Sequence, residues 1–366
     1  MEIYIDKENL RSFIKAKNDP QYEDCWIDCY RMIQRQLHIN YNFEKPKDFY
    51  EDEVVNKFIK SLKDGKVVTI EENNTYLEEK FPKRKLSSHT PNEFNRSQRS
   101  SVFLLSDESI GELKQMAVSL VGDYGEEVDT LKRLFCSKKD FDYHQLYNIQ
   151  DKKSFPSWEQ IREDELNLPL SDIIIMDRYA GAFSDNPEAD LNLYKIIEIL
   201  VENTRSKVNV VIICDETYGV YDKSEKKSKP VKIDKTGIVE NIIDVVNKKT
   251  SHEPNVTLVI NPSKEDIKAG NFHRDEEKIL NHPHDRLIFT NYMLFRSGDS
   301  FYNYFDNKGQ QKTAGTALDV NSLARKSNYD FAMSILDYMQ IRCDKISRHF
   351  PDHIIGDKKS NYIQFS

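Results

Sequence analysis

Asp172-Ile173-Ile174-Ile175-Met176 and Val208-Asn209-Val210-Val211-Ile212-Ile213-Cys214 are the two stretches that decide how this chain folds. Short runs dominated by β-branched residues are strands buried on both faces, the kind that sits inside a parallel sheet. Between them, 189–203 carries apolar residues at helical spacing. After the second run comes a lysine-rich loop, then a helix over 236–247 and a third strand over 255–260. Strands separated by helices of this length are β-α-β units. Beyond them the pattern changes. The segments 286–290 and 292–296 are short strands with almost no helix between them, which predicts a mixed sheet, and a final helix covers about 328–342.

Working outward, the first 150 residues also alternate strand and helix, with strands over 2–5, 66–70, 102–105 and 117–121. Helical patterns occupy 7–16, 22–37, 53–62, 110–116 and 126–135, and a polar stretch over 71–100 reads as a loop or extended arm. The expected organisation is a small α/β domain over 1–150, a linker over 151–164 and a second α/β domain over 165–366. A chain of 366 residues fits that estimate, since single cores rarely grow much past about 250 residues.

Composition excludes several classes. No apolar run approaches the roughly 20 residues of a membrane helix, so no membrane span is expected. A formal charge of -8 argues against a protein whose whole surface coats nucleic acid. Five cysteines, with Cys25 and Cys29 on one helix face, argue against a disulfide framework, and the start MEIYIDKENL has no leader-like apolar stretch. The expected compartment is the cytoplasm, and no cofactor is expected.

The segment that bears on function is His284-Asp285-Arg286-Leu287-Ile288-Phe289-Thr290-Asn291, followed by Gly298-Asp299-Ser300. Period two along a strand points His284 and Arg286 to the same side. The spacing resembles the phospholipase D superfamily signature, H-x-K, four residues, D, six residues, then G-S. The strand end Ile175-Met176-Asp177-Arg178-Tyr179 is similar to the "I-x-D-P-Y" strand of its divergent members. His284, Arg286, Asn291 and Gly298 together resemble the phospholipase D-like C-terminal domain of MIT-domain proteins, and the likeness spans about residues 165–345. The resemblance implies a site with His284 as nucleophile, Arg286 and Ser300 on phosphate, and Asn291 in place of the motif's aspartate. That domain's relatives are binding modules, whereas catalysis in the superfamily takes two motifs, here supplied only by a homodimer that pairs two copies of His284. Such single-motif domains, fused to unrelated N-terminal domains, are often parts of bacterial defence systems. The richness in Lys, Asn, Ile and Tyr suits an AT-rich bacterial genome.

Other segments add candidates. Lys226, Lys227 and Lys229 lie in the lysine-rich loop after a strand's carboxyl end and are either a basic loop over phosphates or a solvated connection. Lys83, Arg84 and Lys85 make the long polar stretch basic, as a nucleic-acid contact or as an ordinary linker. The strand Ile3-Tyr4-Ile5, ending on Asp6, resembles the first strand of PIN-like nucleases, and Phe103-Leu104-Leu105-Ser106-Asp107 their late strand. That likeness implies a metal held by Asp6 and Asp107, although Asp107 is equally a helix cap. The readings in competition are a phosphate- or nucleic-acid-binding module with a protein partner, a homodimeric metal-independent phosphodiesterase acting through His284, and a metal-dependent nuclease in the first domain.

Overall fold

The computed structural model describes residues 2–5, 7–21, 26, 27, 30, 38–41, 51–64, 70–72, 101–104, 119–121, 158, 170–180, 193–202, 204, 207–222, 224–281, 286–298, 301, 318–323 and 326–365. Their strands form one five-stranded sheet, one seven-stranded sheet and a two-stranded ribbon.

The five-stranded sheet holds β1 (Glu2–Ile5), β2 (His38–Tyr41), β3 (Ile70–Glu72), β4 (Ser101–Leu104) and β5 (Ser119–Val121). Its order is β3-β2-β1-β4-β5, with every neighbouring pair parallel. The helix α1 (Lys7–Ala16) buries Leu10, Phe13 and Ala16, three residues apart and therefore on one side, while α2 (Glu53–Asp64) buries Val55 and Phe58. Phe13 meets Phe58 edge to face with centroids 5.9 Å apart, and Trp26 stacks on Phe13 at 5.3 Å. Asp52 accepts from Val54 N and Val55 N at the start of α2 and pairs with Arg11 of α1 at 3.0 Å. The strand β2 is not anticipated by the sequence pattern. His38-Ile39-Asn40-Tyr41 alternates polar and apolar over four residues only, too short to stand out beside the helical pattern before it.

The seven-stranded sheet holds β6 (Asp172–Met176), β7 (Asn209–Asp215), β10 (Asn255–Asn261), β11 (Arg286–Thr290), β12 (Met293–Ser297), β13 (Leu318–Ser322) and β14 (Ile354–Gly356). In the order β13-β12-β11-β6-β7-β10-β14, the centre β6-β7-β10 is parallel and both flanks are antiparallel, so the sheet is mixed as expected. Alternate residues serve two cores. Ile173, Ile175, Val210, Ile212, Leu258 and Ile260 pack with α3 (Leu193–Val201) and α4 (Lys235–Asn247). Ile174, Met176, Val211, Ile213 and Val259 pack on the other face with α7 (Lys326–His349). Each such side chain contributes about 1.5–3 kcal/mol by leaving water. Two short helices, α5 (Lys264–Ala269) and α6 (Arg274–Leu280), connect β10 to β11.

Three further features depart from the sequence reading. The lysine-rich segment is not a loop. It is an antiparallel ribbon of β8 (Thr217–Asp222) and β9 (Lys227–Lys232), because Tyr218 pairs with Val231 and Val220 with Lys229, an alternation that the lysines disguise. The final helix runs on to His349, since Ala332, Leu336, Met339, Cys343 and Ile346 keep a four-three spacing past 342. The edge strand β14, three residues long, is too short to stand out in the sequence pattern; its Gly356 has φ +94°, and a Cβ there would strike Val256 O.

Candidate phosphate-binding site

The strands β6, β7 and β10 end at the same edge, and β11 returns to the opposite side of β6. The carboxyl end of β6 is therefore a point where the strand order reverses, the place where open α/β sheets hold ligands. Past the last ladder pair, Leu287↔Met176, come Arg286 on one strand and Asp177 on the other. Asp177 is fully buried and accepts from Tyr179 N at 3.0 Å and Phe301 N at 2.8 Å. Phe301 and Phe295 pack on the buried Trp158, with centroids 6.4 and 5.2 Å away. Those contacts anchor the chain that leaves β12 beside Arg286.

Arg286 itself is half-buried. Its Nη1 donates to Gly298 O at 2.9 Å, which fixes the guanidinium. Its Nε is buried and has no acceptor among the described residues. A buried donor left unmade costs about 1–3 kcal/mol, and an anionic oxygen is the acceptor it would meet most favourably.

On the α7 side of the same edge runs a polar chain that the sequence reading missed. Arg178 Nε donates to Asp215 Oδ2 at 2.8 Å, and Asn261 Nδ2 donates to Asp215 Oδ1 at 2.9 Å. Asn261 Oδ1 accepts in turn from Arg342 Nη2 at 2.7 Å. Asp215 and Asn261 are the first polar residues after apolar strand runs, and Arg342 interrupts the apolar stripe of α7. Both signals were in the sequence.

The other predicted residues are dispersed. Asn291 is not brought to Arg286. It lies at the far end of β11, is 1% exposed, and its Oδ1 accepts from Ser171 N at 2.8 Å and Asp172 N at 3.1 Å. Its Nδ2 donates to Ser171 Oγ. Asn291 thus joins β11 to the start of β6, and an amide suits that task because it can accept and donate at once. Lys227 and Lys229 pair with Glu225 at 2.7 and 2.5 Å, and their hydrogen bonds hold the Glu225 carboxyl below its ordinary range. Lys226 is exposed at the ribbon turn with φ +51°. His284, Ser300, Lys83, Arg84, Lys85, Asp6 and Asp107 lie outside the described residues.

No helix among the described residues is long and apolar enough to cross a membrane. The chain matches no protein-family model and no curated protein sequence.

Proposed function

We propose that this chain binds phosphate-bearing ligands, nucleic acid among them, through Arg286 on a phospholipase D-like domain with a degenerate motif. In that reading it is a binding component of a bacterial defence system rather than an efficient hydrolase, with a first α/β domain that engages a partner. The observation that carries the reading is the Arg286 guanidinium: held by Gly298 O, set at the strand-order reversal, and left with a buried Nε that lacks an acceptor among the described residues. Charge-assisted hydrogen bonds contribute about 1.5–3 kcal/mol, which corresponds to roughly 10- to 150-fold in affinity.

Arg286→Ala is therefore expected to weaken binding of a 5′-phosphorylated oligonucleotide at least tenfold at one fixed salt concentration. Lys226→Ala should cost less than about threefold, since an exposed ribbon lysine is not pre-organised. Equal losses in the two variants would reduce the signal to diffuse electrostatics. Metal-independent cleavage that disappears in His284→Ala would make the chain a phosphodiesterase instead.

A second reading has its own support. The parallel order β3-β2-β1-β4-β5 reverses between β1 and β4, and Ile5 and Leu104 are register partners at their carboxyl ends. A PIN-like nuclease centre belongs at that edge, just where Asp6 and, a few residues on, Asp107 follow in the sequence. Chelator-sensitive cleavage of single-stranded RNA or DNA, lost in Asp6→Asn, is the outcome this reading requires; cleavage indifferent to chelator and substitution would sink it.

A further inference from the structure

The amino ends of β7 and β10, at the opposite edge from Arg286, open into a cavity of about 730 Å³. Its walls include Asn209, Asn255, Lys207, Lys358, Lys359 and Phe365. The three lysines are exposed, and none forms an ion pair with a carboxylate among the described residues.

The bend that carries two of them is fixed on several sides. Asp357 Oδ2 accepts from Val256 N at 2.8 Å, Lys359 N donates to Thr257 Oγ1 at 3.2 Å, and Ser360 Oγ donates to Asp172 Oδ1 at 2.9 Å. Lys358 is held there at φ +53°, a conformation unfavourable for a residue with a Cβ.

The polarity of the cavity wall is set from below. Asp172, when ionised, only accepts, so Asn209 turns its amide nitrogen toward it, Nδ2 to Oδ1 at 3.3 Å. Asn209 then presents its oxygen to Asn255 Nδ2 at 2.8 Å. The chain ends on Asn255 Oδ1, an acceptor on a residue 7% exposed, with no donor among the described residues. A complementary ligand carries negative charge for the lysines, an N–H donor for Asn255, and a flat apolar body for the half-buried ring of Phe365.

We propose that this cavity binds a nucleoside phosphate, with the phosphates among Lys207, Lys358 and Lys359 and a base N–H directed at Asn255 Oδ1. A volume of this size lies within the ordinary range for small-molecule sites. The site is independent of Arg286, since it occupies the other end of the strands.

The test is calorimetric titration of the full chain with ATP, GTP, CTP and UTP against inorganic tripolyphosphate, an anion without a base. At least one nucleotide should bind tenfold or more tightly than tripolyphosphate. Asn255→Leu should erase that preference while leaving tripolyphosphate binding within twofold. Lys358→Glu with Lys359→Glu, whose side chains are both exposed and outside the core, should weaken nucleotide and tripolyphosphate alike by tenfold or more. In an Arg286→Ala background, which removes the phosphate site proposed above, the preference for a nucleotide over tripolyphosphate and its loss in Asn255→Leu should both persist, which separates the two sites. The proposal is overturned by the absence of any nucleotide preference in the wild type, by unchanged affinity in the double lysine variant, or by binding of single-stranded oligonucleotides without binding of mononucleotides.

Discussion

Arg342→Ala is expected to lower the stability of the seven-stranded sheet by about 3–5 kcal/mol, since each buried acceptor left without its donor costs about 1–3 kcal/mol. Arg342 is completely buried in α7. Its Nη1 donates to Ile279 O at 2.6 Å and Asn281 O at 3.2 Å. Its Nη2 donates to Leu280 O at 3.0 Å and Asn261 Oδ1 at 2.7 Å, and its Nε donates to Asn261 Oδ1 at 3.2 Å. Two of these acceptors, Ile279 O and Leu280 O, are the terminal carbonyls of α6 and a third belongs to Asn281, which follows it, so the cation also meets the negative end of the helix dipole. Desolvation pulls the Arg342 pKa below its ordinary value, yet every partner named is an acceptor, so the charged form is the one the site fits. Alanine would strand those carbonyls and Asn261 Oδ1 in a dry interior and leave a cavity besides. Arg342→Lys should recover only part of the loss, because an ammonium cannot reproduce the planar fork. Native-state hydrogen exchange of the β7 and β10 amides measures the effect; a change below about 1 kcal/mol in Arg342→Ala would contradict this account of the network.

The second large effect is a pH dependence seated at the other edge. Asp172 is fully buried and its pKa is pushed up to about 6, with desolvation the largest cause, opposed by Asn361 N, Ser360, Ser171 and the Asn361 side chain. Asn361 N donates to Oδ1 at 2.8 Å and Asn361 Nδ2 to Oδ2 at 2.6 Å, so the carboxylate binds the C-terminal segment to the start of β6. The folded chain thus holds the Asp172 proton more tightly than the unfolded chain does, whose aspartates titrate near 3.9. The sign follows. The contribution is fully present below about pH 4 and is lost as pH rises through about 6, a gap of about 2 pH units worth about 3 kcal/mol. Asp172→Asn removes the titration. The stability of wild type minus that of Asp172→Asn should therefore fall as pH rises from 4 to 6.5 and be flat above 7. Urea titrations of both proteins across that range measure it, and a difference that stays constant or grows would show that the ionised form is the favoured one in the fold.

How far these features were legible in the sequence differs by region. The three central strands were plain, because a run such as Ile173-Ile174-Ile175 buried on both faces has no other comfortable home in water. Helices α4 and α7 were legible from their apolar spacing. The ribbon was hidden because its lysines lie on strands that belong to neither main sheet, so their charge reads as loop. Arg286 was visible through its motif spacing, and its place at the carboxyl edge of β6 follows from the antiparallel pairing of β11 with β6. Asn291 shows the limit of spacing. Five positions from Arg286 along an extended strand is about 17 Å at roughly 3.4 Å per residue, so the two sit at opposite ends of one strand and do different work. The network of Arg178, Asp215, Asn261 and Arg342 could not be assembled in advance, since it joins strand ends and a helix that only the sheet order brings together.

The central claim is that the Arg286 guanidinium is a phosphate site. It is tested most directly by following the Nε–H resonance of Arg286, assigned through its absence in Arg286→Lys, while inorganic phosphate is titrated into the full chain. A saturable displacement of that resonance, with slowed proton exchange and no comparable change at Lys226 Nζ, is the predicted result. An Arg286 resonance that stays in place while phosphate binds elsewhere, or that moves no more than Lys226, would contradict it.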